Sequence, residues 1–135
     1  MNDKELRRVL NDYKRIAIVG LSAKEARASN RVARFMLDKG YEVIPVNPGY
    51  QEVLGLKCYP ALSDIPGSID IVDLFQRSEN VPPFVDHAIA NHARMVWMQL
   101  GVINEDAAEK ARNAGLEVVM DRCPKIEYER LIANQ

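Results

Sequence analysis

Short apolar runs rich in β-branched residues alternate with amphipathic stretches along the whole chain, in units of about 25 residues. The runs at 16–19, 41–46, 69–75, 95–98 and 117–120 are too short for buried helices and read as strands. Between them, apolar residues recur at helical spacing: Val32, Phe35 and Met36, then Val81, Phe84, Val85, Ala88 and Ile89. Local signals mark the helix ends. Ser29 stands where an N-cap belongs, and Gly40 stops that helix. Pro82 and Pro83 suit a first turn, and Pro124 opens a last helix. Asn104 caps a helix with Glu105 and Asp106 in its first turn, closed by Gly115. Residues 1–15 read as a further amphipathic helix, and 52–59 as a small side excursion.

This alternation predicts an α/β fold: a Rossmann-like, doubly wound, five-stranded parallel sheet with helices on both faces and right-handed crossovers. The expected strand order is 3-2-1-4-5, in a single domain spanning 1–135.

At 135 residues the chain buries a core without needing disulfides or metals. A formal net charge of -1 gives no global field toward nucleic acid or membrane. No apolar run approaches the roughly 20 residues of a transmembrane helix, and the N-terminus is too charged for a secretion signal. Cys58 and Cys123 form neither a disulfide framework nor a zinc pattern, which makes a reducing cytoplasm the default compartment.

In doubly wound sheets ligands bind outside the carboxyl ends of the strands. The stretch "IAIVGLSAKEARASN" is the first such end. Gly20 closes the strand, yet the second and third glycines of a dinucleotide fingerprint are absent, and cationic and hydroxyl residues stand there instead. Between Lys14 and Arg34 lie six basic residues (Lys14, Arg15, Lys24, Arg27, Arg31, Arg34) against one acid, Glu25. Cations beside a helix N-terminus suit phosphate; a solvated basic helix end accounts for the same residues. The second strand ends in Asn47, where an NAD site commonly carries Asp or Glu for the ribose hydroxyl. A neutral amide avoids repelling a phosphorylated ribose, although Asn-Pro-Gly is also simply a turn. Beyond the third strand, Arg77 adds a cation, while Phe75 and Val81 make either an adenine slot or ordinary core.

Taken in order, "IAIVGLS…SNRVARFMLDKGYEVIPVNP", "DIVDLFQRSENVPPFVDHAI" and "VWMQLGVINEDAAEKARNAGLEVVMDRCPKIE" carry a resemblance over nearly the whole chain. The sequence resembles the stand-alone coenzyme A-binding domain proteins of bacteria (YccU-like). More distantly it is similar to the N-terminal CoA-binding domain of the succinyl-CoA synthetase alpha subunit. The resemblance implies that Gly20, Leu21, Ser22, Lys24, Ser29, Asn30 and Arg31 hold the pyrophosphate region of coenzyme A. It also implies that Val46, Asn47 and Pro48 line the ribose and adenine side, and that Phe75, Gln76, Arg77 and Val81 complete the adenosine pocket. Gln99, Leu100 and Gly101 would follow the pantetheine arm.

The synthetase's phosphorylated histidine belongs to a second domain with no counterpart here. His87 and His92 fall in the helix after "VPP", about 140° apart around its axis, and do not converge on one site. No catalytic constellation or metal-ligand cluster is visible. Cys123 is the residue with reactive potential, because an adjacent Arg122 and a helix start at Pro124 both favour a thiolate; a small half-buried cap is the alternative. The expected function is non-catalytic binding of coenzyme A or an acyl-CoA by a carrier, sensor or regulatory partner. Neither nucleic acid nor membrane is expected, while a protein partner and the oligomeric state stay open. An NAD(P)-binding enzyme or redox sensor on the same fold, or a module that has lost its ligand, are the alternatives.

Overall fold

The computed structural model describes residues 1–134. The elements in chain order are α1 (Asp3–Asp12), β1 (Arg15–Val19), α2 (Ala28–Asp38), β2 (Glu42–Val46), β3 (Glu52–Val53), β4 (Leu56–Lys57), β5 (Ile71–Leu74), α3 (Val81–Ala90), β6 (Met95–Met98), α4 (Glu105–Asn113), β7 (Glu117–Val119) and α5 (Pro124–Tyr128). Their causes are mostly local. Asn2 and Glu5 form a reciprocal capping box at the start of α1, and the Asn104 side chain accepts from the Ala107 N–H at the start of α4. The side excursion is the β3–β4 hairpin, whose two turn residues, Leu54 and Gly55, both have left-handed φ, 55° and 74°.

Two local expectations change. α2 begins at Ala28 with Arg27 in the cap position and no side-chain cap. Ser29 therefore lies inside the first turn, and its hydroxyl is used elsewhere. His92 lies beyond the end of α3, with φ 56°, so only His87 belongs to the helix.

The five longer strands pair in the order β2-β1-β5-β6-β7, all parallel. Counted along the chain this is 2-1-3-4-5, not the expected 3-2-1-4-5. The doubly wound class holds; the placement of the third run differs. Two residues explain the difference. β5 is buried throughout, Asp73 included, as befits a central strand flanked by β1 and β6. β2 contains Pro45, whose carbonyl accepts from the Tyr59 N–H at 3.0 Å on the side away from β1. A residue's N and O point to the same side of a strand, so the missing N–H of Pro45 also faces outward and the β1–β2 ladder loses nothing.

Side chains alternate between two apolar layers. α1, α2 and α5 set Leu6, Leu10, Val32, Met36 and the half-buried Tyr128 against a layer that includes Ile16, Ile18, Ile71, Met95 and Trp97. On the other face α3 and α4 set Val81, Val85, Ala88, Ala108 and Ala111 against Ala17, Val19, Val72, Leu74, Val96 and Met98. From β1 the chain goes to β2 on one side and returns to β5 on the other. The crevice of the fold therefore opens between the carboxyl ends of β1 and β5.

Candidate functional site

Gly20 ends β1 at this crevice with φ +88°, and a Cβ there would lie 2.5 Å from the Phe75 carbonyl oxygen and 2.9 Å from the Gln76 amide nitrogen. No side chain fits that approach. The chain then runs as an irregular loop to α2, and buried polar side chains hold the loop down. The Ser29 hydroxyl accepts from the Ser22 N–H (3.0 Å), and the Asn30 side-chain amide donates to the Ser22 carbonyl (2.9 Å). From β2, Asn47 donates to the Leu21 carbonyl (3.2 Å) and accepts from the Gly49 N–H (2.8 Å). The loop is thus fixed with its backbone over the strand ends, while the first N–H groups of α2 lack helical acceptors.

A cleft of about 390 Å³ lies here, lined by Gly20, Ser22, Lys24, Arg27, Ala28, Ser29, Asn47, Tyr50 and Phe75. The basic cluster is smaller than the sequence suggested. Lys14 and Arg15 sit at the opposite end of β1, where Arg15 pairs with Glu42. Arg34 pairs with Glu25 at 3.7 Å, and Arg31 donates to the Ala26 carbonyl. Lys24 and Arg27 are left: both are exposed, both line the cleft, and among the described residues neither has a side-chain partner.

A second cavity of about 400 Å³ adjoins the first, sharing Ala28 and Phe75 with it. Its other walls are Arg31, Val32, Gln99, Leu100, Cys123, Lys125 and Ile126, so it is largely apolar with cations at hand. Gln99 is only 6% exposed, and its side-chain amide makes no hydrogen bond among the described residues. Asp73 lies on the same sheet face two residues before Phe75, fully buried, and among the described residues neither carboxylate oxygen has a partner; burial pushes its carboxyl well above the usual range.

The model of a family described as "CoA binding domain" matches residues 14–129. The chain belongs to that family. It is 42% identical over 124 residues to an uncharacterized protein, YneT, of Bacillus subtilis, covering 92% of each chain. It is 32% identical over 71 residues to an ADP-forming acetate–CoA ligase (I) of Archaeoglobus fulgidus, covering 53% of this chain and 10% of the ligase. Among solved structures, a hypothetical protein from Pyrococcus horikoshii superposes with a TM-score of 0.95 at 45% identity, covering 98% of this chain and 93% of that one.

Within this CoA-binding domain, Gly20, Ser22, Lys24, Ser29, Asn47 and Phe75 meet at the first cleft, and Arg31, Phe75, Gln99, Leu100 and Cys123 at the second cavity. Asn30 and the Leu21 backbone support the loop from behind. Leu21, Val46 and Val81 are core residues. Val81 and Phe75 belong to layers on opposite sheet faces, so they do not wall one slot; Tyr50 is the aromatic that faces the cleft with Phe75. Pro48 is exposed in its turn, and Gln76, Arg77 and Gly101 line neither cavity. The Gly101 N–H donates to the Asp121 carboxylate at 2.7 Å. Sequence reasoning counted Arg27 among the loop cations, but it did not nominate Ala28, Tyr50, Val32, Lys125 or Ile126 as site residues. The start of α5 at a strand's carboxyl end could have pointed to Lys125 and Ile126; nothing local distinguishes Tyr50.

Proposed function

We propose that this chain binds coenzyme A or an acyl-CoA without transforming it, as a carrier, sensor or regulatory partner. The observation that carries the reading is the pairing of two adjoining cavities of opposite chemistry. One offers unpaired Lys24 and Arg27 beside a helix N-terminus, which suits the phosphates of a nucleotide. The other is apolar, with a single buried unpartnered amide at Gln99, which suits an arm that carries amides of its own. Family membership and the acetate–CoA ligase relative support the same ligand. Lys24 and Arg27 would take the pyrophosphate and the additional ribose phosphate, and Gln99 an amide of the pantetheine arm. The absence of reaction chemistry finds support in the histidines. His87 lies in the last turn of α3 and His92 precedes β6, so both stand at the amino ends of the strands, and neither lines the two cavities. Two unpaired cysteines suit a reducing cytoplasm.

Calorimetric titration tests this. Coenzyme A is expected to bind at micromolar or lower concentration, dephospho-CoA more weakly, and NADPH not measurably. Equal binding of coenzyme A and dephospho-CoA would remove the role given to the two cations. Tighter binding of NADPH would replace this reading with that of a dinucleotide-linked protein.

A further inference from the structure

We propose that Cys123 forms a mixed disulfide with coenzyme A by exchange with coenzyme A disulfide, an inference that rests on the coenzyme A reading above. Coenzyme A ends its amide-bearing arm in a thiol. With the nucleotide over Lys24 and Arg27, the adjoining cavity receives that arm, and Cys123 is the cysteine that lines it. The Cys123 side chain is unpaired, and the residue keeps 5% of its surface exposed. The second observation is Gln99, nine-tenths buried on the same wall with its amide oxygen unpartnered among the described residues, where an arm amide would hold the ligand's sulfur in register. Arg31 and Lys125 also line the cavity, Arg31 donating to the Ala26 carbonyl and Lys125 pairing with Glu129 at 2.8 Å, and among the described residues no carboxylate lines it. Cys58 provides the contrast. It lines neither cavity, its thiol donates to the Asn47 carbonyl at 3.4 Å, and burial pushes it up toward the inert thiol form.

The exchange balances without another oxidant. The Cys123 sulfur attacks one sulfur of the coenzyme A disulfide. The protein–S–S–CoA bond forms as the CoA–S–S–CoA bond breaks, and the second coenzyme A leaves as thiolate and takes up the proton lost by Cys123. The protein thereby stores one coenzyme A covalently, and any thiol of lower potential releases it.

Intact-mass analysis after incubation with coenzyme A disulfide reads the step. The expected result is a gain of one coenzyme A less two hydrogens, reversed by dithiothreitol, absent in Cys123→Ser and retained in Cys58→Ser. Peptide mapping of the unaltered protein locates the adduct independently of how either variant folds. Pantethine carries the same arm and disulfide without the nucleotide, and should react at least about tenfold more slowly at equal concentration, because nucleotide binding supplies the proximity. Coenzyme A binding in calorimetry with no adduct overturns this inference and leaves the binding function standing; neither binding nor adduct overturns both. An adduct on Cys58, or equal rates with pantethine, overturns the directed exchange.

Discussion

Gly20 and Phe75 bring the backbones of β1 and β5 so close that a methyl on Gly20 would sit 2.5 Å from the Phe75 carbonyl oxygen. This approach sets the floor of the crevice, because the two strands diverge in connection at that point while their ends remain side by side. Gly20→Ala meets both a left-handed φ and a backbone overlap. It is expected to cost about 2–4 kcal/mol of stability, read by urea denaturation, and to weaken coenzyme A binding in any fraction that stays folded. A variant as stable as the parent would show that β5 yields freely here.

Asn47 acts through its donor. Its amide nitrogen reaches the Leu21 carbonyl and its oxygen takes the Gly49 N–H. Asn47→Asp keeps the acceptor but sets a carboxylate oxygen against a carbonyl oxygen, which should cost about 1–3 kcal/mol. The loss should shrink as the carboxyl is protonated below pH 4, so the denaturation midpoint is the measurement, followed against pH.

Arg27 is exposed and, among the described residues, makes no side-chain ion pair or hydrogen bond. Arg27→Ala should leave stability within about 0.5 kcal/mol of the parent while weakening coenzyme A roughly tenfold, about 1.4 kcal/mol. The weakening should diminish in high salt. Calorimetry at two ionic strengths separates this from a structural loss.

Asp73 makes stability depend on pH in a definite direction. Burial raises its carboxyl in the folded chain, whereas the unfolded carboxyl ionises near about 3.9. Above that pH the unfolded state binds fewer protons than the folded one, so stability falls as pH rises until the folded group ionises as well. Asp73→Asn stays neutral and lacks this slope. Its stability relative to the parent should therefore improve from pH 4 upward, by at most about 1.4 kcal/mol per unit. A difference independent of pH between 4 and 8 would show that Asp73 is already ionised in the fold.

Much of the architecture was legible because its causes are local. Alternating residues in 16–19 and 95–98 reach both buried layers; Asn104 marks a helix start through a bond spanning three residues, and Pro82 and Pro124 do so through their fixed φ and missing N–H. The site was legible in part for the same reason: the doubly wound class alone sends ligands to the strand ends, which nominated Gly20, Asn47, Phe75 and Gln99. Tyr50 and Ile126 were not legible, since each faces a cavity only after segments far apart in the chain have docked.

The sequence by itself determined which segments are strands and helices, in what succession, because periodicity and capping act within a turn or two of chain. Only the tertiary structure decided that β5 lies beside β1 and that two cavities meet at Ala28 and Phe75. It also decided that four of six neighbouring cations are occupied elsewhere or turned away, leaving Lys24 and Arg27. Strand order and charge pairing depend on contacts between residues tens of positions apart, and no local pattern encodes which distant partner a strand edge or a guanidinium will find.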